Sequence, residues 1–205
     1  WGHKASEAMR VERVVAHKAR IDLPGVTLPP LDIDAQLNAD GGIASMSLMN
    51  EEQKLQVKLE PDGQRMKLTA SAKSLALPFG TDFKVDDFDG KGSVSPGELV
   101  LTEFEGRGYS GFLGGNAHLR WGDNWALEGE LSARQVDAAA RVGAARQVGQ
   151  LEGKGTYTSG AAIADKLFPA GHMEGTFTVQ NGGLAGMGLK QVLQGGGTSR
   201  GTTPF

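Results

Sequence analysis

Apolar and polar residues alternate with a period of two through most of this chain. Leu31, Ile33, Ala35 and Leu37 take one parity, with Asp32, Asp34 and Gln36 between them, the signature of a strand with one buried face. Residues 11–23 follow the same rule: Val11, Arg13, Val15, His17, Ala19 and Ile21 share one parity, and Glu12, Lys18, Arg20 and Asp22 lie in the other. They predict a half-buried strand, with helix as the alternative before Arg13. Asp40-Gly41-Gly42 is a hairpin turn into Ala44, Met46 and Leu48. A second meander runs through Leu55, Val57 and Leu59, turns at Pro61-Asp62-Gly63, and returns through Met66, Leu68, Ala70 and Ala72. Leu75 and Leu77 lead on to Phe83 and Val85, and Leu99 and Leu101 begin the next strand.

Residues 104–131 carry the pattern most compactly. Leu119 and Trp121 share one face of an extended segment, Trp125, Leu127 and Leu131 share one face of the next, and Gly122-Asp123-Asn124 joins them. Upstream, Gly106, Gly108, Gly111, Gly114 and Gly115 fall close together. Glycine in strand context marks bulges, bends or close backbone approach, so the sheet is expected to curve here. Helical spacing is confined to short stretches: the alanine-rich residues 136–148, a turn within 161–168 ended by Pro169, and a weaker stretch at 189–193. No long crossover demands parallel strands. The expected fold is mainly β, a curved, largely antiparallel sheet with one or two short helices, in a single domain spanning residues 1–205.

Composition narrows the function classes. The 31 glycines are spread along the 205 residues, and only 6% of residues are aromatic, which suits many short strands and turns better than a helical bundle. A net charge of −3 provides no general attraction for nucleic acid, and none is expected as a partner. With no cysteine there is no disulfide framework and no thiolate zinc site. No run of 18 apolar residues is present, and the opening residues lack the apolar core of a signal peptide. The chain starts without methionine and ends just after a turn-like GTTP, as expected of a piece of a longer protein.

Few residues invite chemistry. Residues 87–98, DFDGKGSVSPGE, match a calcium loop at positions one, three, six, eight, nine and twelve. Lys91 at position five removes an oxygen ligand, and the flanks alternate like strands, so a solvated loop is the favoured reading. His3, His17, His118 and His172 are dispersed and form no HxH or HExxH pair. His118 is expected on the side of its strand opposite Leu119 and Trp121, and His17 on the face of Val15 and Ala19. Phosphate-binding and nucleophile-elbow patterns are absent. The expectation is a non-enzymatic protein without a cofactor.

What remains is an apolar surface. Tyr109, Phe112, Leu113, Leu119, Trp121, Trp125, Leu127 and Leu131 either line a groove or fill a closed core, and the pattern alone fits both. The block GYSGFLGGNAHLRWGDNWALEGEL followed by VDAAARV resembles a block near the C-terminus of the AsmA family of bacterial envelope proteins. LEGKGTYTSG at 151–160, MEGTFTVQNGGLAGMGL at 173–189 and the closing GGTSRGTTPF are similar to further strands of that family, so the resemblance runs from about Ala19 onward. It implies a periplasmic β-rich module related to bridge-like lipid-transfer proteins. Its inner face would form an open groove or half-barrel lined by these eight residues and shielding phospholipid or other acyl-chain lipid. It further implies a role in lipid transport and outer-membrane biogenesis, envelope proteins as partners, and an inner-membrane anchor outside this stretch. The alternative is a scaffold for outer-membrane protein assembly with a filled core and no lipid.

Overall fold

The computed structural model describes residues 11–23, 26–52, 54–76, 84–137, 147–184 and 203–204. Strands β1 (Arg13–Ala19) and β4 (Leu31–Leu37) are separated by two short paired strands, β2 (Asp22–Leu23) and β3 (Val26–Thr27). A meander follows through β5 (Ile43–Asn50), β6 (Leu55–Asp62), β7 (Arg65–Ala76), β8 (Lys84–Ser95), β9 (Glu98–Gly108), β10 (Gly111–Arg120), β11 (Trp125–Asp137), β12 (Gln147–Ala161), β13 (His172–Leu184) and β14 (Thr203–Pro204). Apart from β2 and β3, they form one twelve-stranded antiparallel sheet in the order β1, then β4 to β14. Its two edges, β1 and β14, are not paired with each other, so the sheet is open.

Directly opposed residues of antiparallel neighbours share a face, so the register sorts every side chain. Ile33 opposes Leu48, Leu48 opposes Val57, and Val57 opposes Ala70. Farther along, Leu99 opposes Leu119, which opposes Leu127. All of these lie on one face. The other face carries Asp34, Ser47, Lys58, Thr69 and Lys91 in one row, and ion pairs lace it together. Arg13 Nη2 meets Asp34 Oδ2 at 2.6 Å, and Arg65 Nη2 meets Glu98 Oε2 at 3.1 Å. His118 sits between two carboxylates, with Nε2 2.7 Å from Glu98 Oε1 and Nδ1 3.2 Å from Glu128 Oε1. The hydrogen bond to His118, supported by Arg65, holds the Glu98 carboxyl below its ordinary range.

Curvature has local causes. β9 carries an extra residue at Thr102–Glu103 against both neighbours, and β11 shifts register between Ala133 and Val136, where Gln135 adopts φ +55°. Such bulges bend a strand and increase its twist. The result is visible across the sheet. Val26 and Leu28 pack with Leu119 and Trp125, although Leu28 is tied by the chain to Leu31, at most about 11 Å away. β4 and β10 are six strand spacings apart, about 29 Å in a flat sheet. Only a strongly curled sheet permits the contact, and a twist of roughly 20° per strand, accumulating past 100°, brings the start of β4 over the end of β10.

Three sequence expectations change. In β1 it is Val14 and Ala16 that oppose Ala35 and Ile33 on the apolar face, while Val15 opposes Asp34. A register shift between Ala16 and Ala19, with Lys18 at φ +52°, returns Ala19 to Leu31, so no single parity describes residues 11–21. His17 accordingly lies exposed beside Asp32, 3.4 Å away. Residues 87–98 are most of β8, a tight turn with Gly97 at φ +80°, and the first residue of β9. The anticipated loop is therefore strand. Of the expected helices, residues 161–168 contain a 3-10 turn, Ala164–Lys166. Val136, Asp137, Gln147 and Val148 are strand residues, and 138–146 and 189–193 lie outside the described residues.

Candidate functional site

The apolar face has an ordered internal pattern of large and small residues. One row across the strands reads Gly92, Leu101, Ala117, Gly129, Tyr157, Met173. The next reads Gly90, Phe104, Gly115, Leu131, Gly155, Gly175, and a third reads Phe88, Gly106, Leu113, Ala133, Gly153, Phe177. Bulky side chains lie beside glycines of neighbouring strands, as a tightly concave surface requires, because its Cβ atoms converge. Tyr157 lies across Gly129: a Cβ there would come within 2.6 Å of Tyr157 Oη. Phe177 covers Gly153 in the same way, with Cδ1 2.8 Å from the corresponding position. Tyr157 Oη donates to the Asn116 carbonyl at 2.8 Å, beside the bulge in β9. Burial pushes its phenol up to about 12.

Along these three rows Phe88, Leu101, Phe104, Leu113, Leu131, Tyr157 and Phe177 are all half-buried. Side chains sandwiched under a second layer would be enclosed. The surface is therefore a trough. Its end is different. In the row of Val94, Leu99, Leu119 and Leu127, the trough is filled by a small core of Val26, Leu119, Trp125, Ala164 and Leu167. Trp125 is 2% exposed and Leu167 0%. Ser159 donates its hydroxyl to the Leu167 carbonyl, fixing the 3-10 turn there, and Trp121 stacks on Trp125 at 6.1 Å between ring centroids.

The eight residues singled out from sequence divide accordingly. Leu113 and Leu131 line the trough. Leu119, Trp121, Trp125 and Leu127 belong to or pack against the core at its end. Tyr109 occupies the β9–β10 turn at φ +51°, its backbone carbonyl accepting from Asp137 N at 2.8 Å. Phe112 points to the polar face, opposite Arg107 and Arg134, with the Arg134 guanidinium 5.8 Å from its ring centroid. Adjacent strand residues face opposite ways, so Phe112 and Leu113 do not line one groove. Sequence reasoning missed Phe88, Leu101, Phe104, Tyr157 and Phe177. For the four aromatic residues the signal is a ring two residues from a glycine on a β parity, which becomes a row only once the register is known; Leu101 alternates with Leu99 and carries no such mark.

His17, His118 and His172 all sit by carboxylates on the polar face, and His3 lies outside the described residues. Among the described residues no group of three or more acidic or histidine side chains is placed to hold a metal. No family model matches the chain, and no curated protein or solved structure matches it either.

Proposed function

We propose that the concave face binds the acyl chains of phospholipid or a similar lipid, and that the chain is a periplasmic, inner-membrane-anchored module of the AsmA type serving lipid transport and outer-membrane biogenesis. The observation that carries this reading is the row structure: three continuous apolar rows on one face of an open, curled sheet, with their largest side chains half-buried. Covering a methylene contributes about 0.8 kcal/mol, so half a dozen methylenes laid in the trough gain roughly 5 kcal/mol before ordering costs. That supports transient binding tolerant of the headgroup, and it requires no polar pocket on the concave side. The polar face, laced by ion pairs, keeps the outside of the sheet in water. The supporting test is mass spectrometry of an organic extract of the purified protein. Phospholipid is expected at near-stoichiometric amounts, and a lipid-free extract from protein folded in cells would contradict the reading.

A second reading has its own observation. The core around Trp125 and Leu167 is filled, as a scaffold module for outer-membrane protein assembly would have it. On that reading the same extract is empty.

A further inference from the structure

Residues 26–30, between the short strand β3 and β4, contribute to the core at the end of the trough. Val26, 5% exposed, and Leu28 are the side chains this segment contributes there, in one cluster with Leu99, Leu119, Trp121, Trp125 and Leu127. Leu99, Leu119 and Leu127 continue the apolar face of β9, β10 and β11 beyond the open rows, with the same parity as Leu101 and Leu131. The segment therefore covers surface chemically identical to the open trough. At its base the hold is polar: Asn50, a buried polar side chain on the apolar face, donates Nδ2 to the Pro30 carbonyl at 2.9 Å.

We propose that this segment is a displaceable strap whose two apolar side chains occupy the end of the trough and compete there with an acyl chain. The inference rests on the lipid-binding reading and adds a regulation to it. Val26 and Leu28 together offer about seven side-chain carbons, the equivalent of a short stretch of acyl chain. An acyl chain entering along the rows of Leu131 and Leu113 reaches at Leu127 the core to which the strap belongs, and replaces its apolar side chains like with like. The strap thus sets how far along the trough a lipid extends, and lifting it lengthens the site. A ligand shifts such an equilibrium only through its preference for the open form, which here is the part of the Leu99, Leu119 and Leu127 row freed by Val26 and Leu28, with the turn of Ala164 and Leu167 still in place.

The test uses photo-crosslinking amino acids at Leu131, in the open trough, and at Leu127, against the core that the strap helps to fill, in the unaltered chain, in a V26S/L28S variant and in an Asn50→Ala variant. The Asn50→Ala change releases the base of the strap while keeping every side chain of the core, and circular dichroism confirms that each variant retains its sheet. Phosphatidylglycerol–phosphatidylethanolamine vesicles supply the lipid. Adducts at Leu131 are expected in all three, with adducts at Leu127 rising roughly threefold or more in both variants as the competent fraction grows. Adducts at Leu131 in all proteins with unchanged or diminished labelling at Leu127 in the variants would overturn the strap alone. Absence of adducts at Leu131 in every protein would overturn the lipid-binding reading and the strap with it.

Discussion

Tyr157 shows at the scale of one residue what the concave surface demands. Its ring lies over Gly129 because no side chain fits there, and its hydroxyl reaches across to the Asn116 carbonyl. The phenol is moved from 10.0 to about 12 by burial. A group whose folded-state pKa is raised contributes stability that is complete below its unfolded value and lost as pH climbs through the folded one. The window here runs from about 10 to about 12. Tyrosinate absorbance should therefore show one of the two tyrosines ionising only near pH 12, coincident with alkaline unfolding, and Tyr157→Phe should remove that late step. A late step that persists in Tyr157→Phe would assign it elsewhere. Phe112 teaches the complementary point: a large apolar residue next to the trough in sequence belongs to the other face, stabilised by Arg134 above its ring.

At the scale of elements, β8 is the instructive case. Asp87 and Asp89 match two positions of a calcium loop, yet in an extended strand they stand roughly 6.6 Å apart along the backbone, on the polar face in line with Lys91. Asp87 is already engaged by Lys73 at 3.8 Å and Arg107 at 3.9 Å. Millimolar calcium should leave the melting temperature unchanged; a rise of several degrees reversed by chelator would show that the turn rearranges around the ion. The strands of the meander were legible because period-two alternation survives in each, as in Leu31–Leu37 and Arg65–Ala76. β1 was misread in parity because the shift near Lys18 breaks the alternation. β8 resembles a loop in sequence because Gly90 and Gly92 sit at two of its apolar positions, between Phe88 and Val94, and interrupt the alternation. The candidate site was legible only in part. Leu113 and Leu131 were found from their own strands, whereas Tyr157 and Phe177 belong to the trough only through pairings that sequence distance hides.

On the scale of the whole molecule, the sheet is one apolar surface used in two ways. Where Val26, Trp125, Ala164 and Leu167 meet, it is a closed core; along the rows of Leu101, Phe104 and Leu113 it is a half-open trough. The two parts should respond differently to truncation. Trp125→Ala empties a fully enclosed site and is expected to cost about 3–5 kcal/mol in denaturant unfolding, whereas Leu131→Ala, half-buried, should cost about 1 kcal/mol while weakening lipid association. Equal losses at both positions would mean that the trough is enclosed as well. The central claim is that acyl chains lie on the concave face of the sheet. Its most direct measurement places a photo-crosslinking amino acid in cells at Phe104, Leu113 or Leu131, and at Glu105, Glu130 or Arg134 on the opposite face. Lipid adducts are predicted at the first three positions and not at the second three; equal labelling of both faces, or none on either, would contradict it.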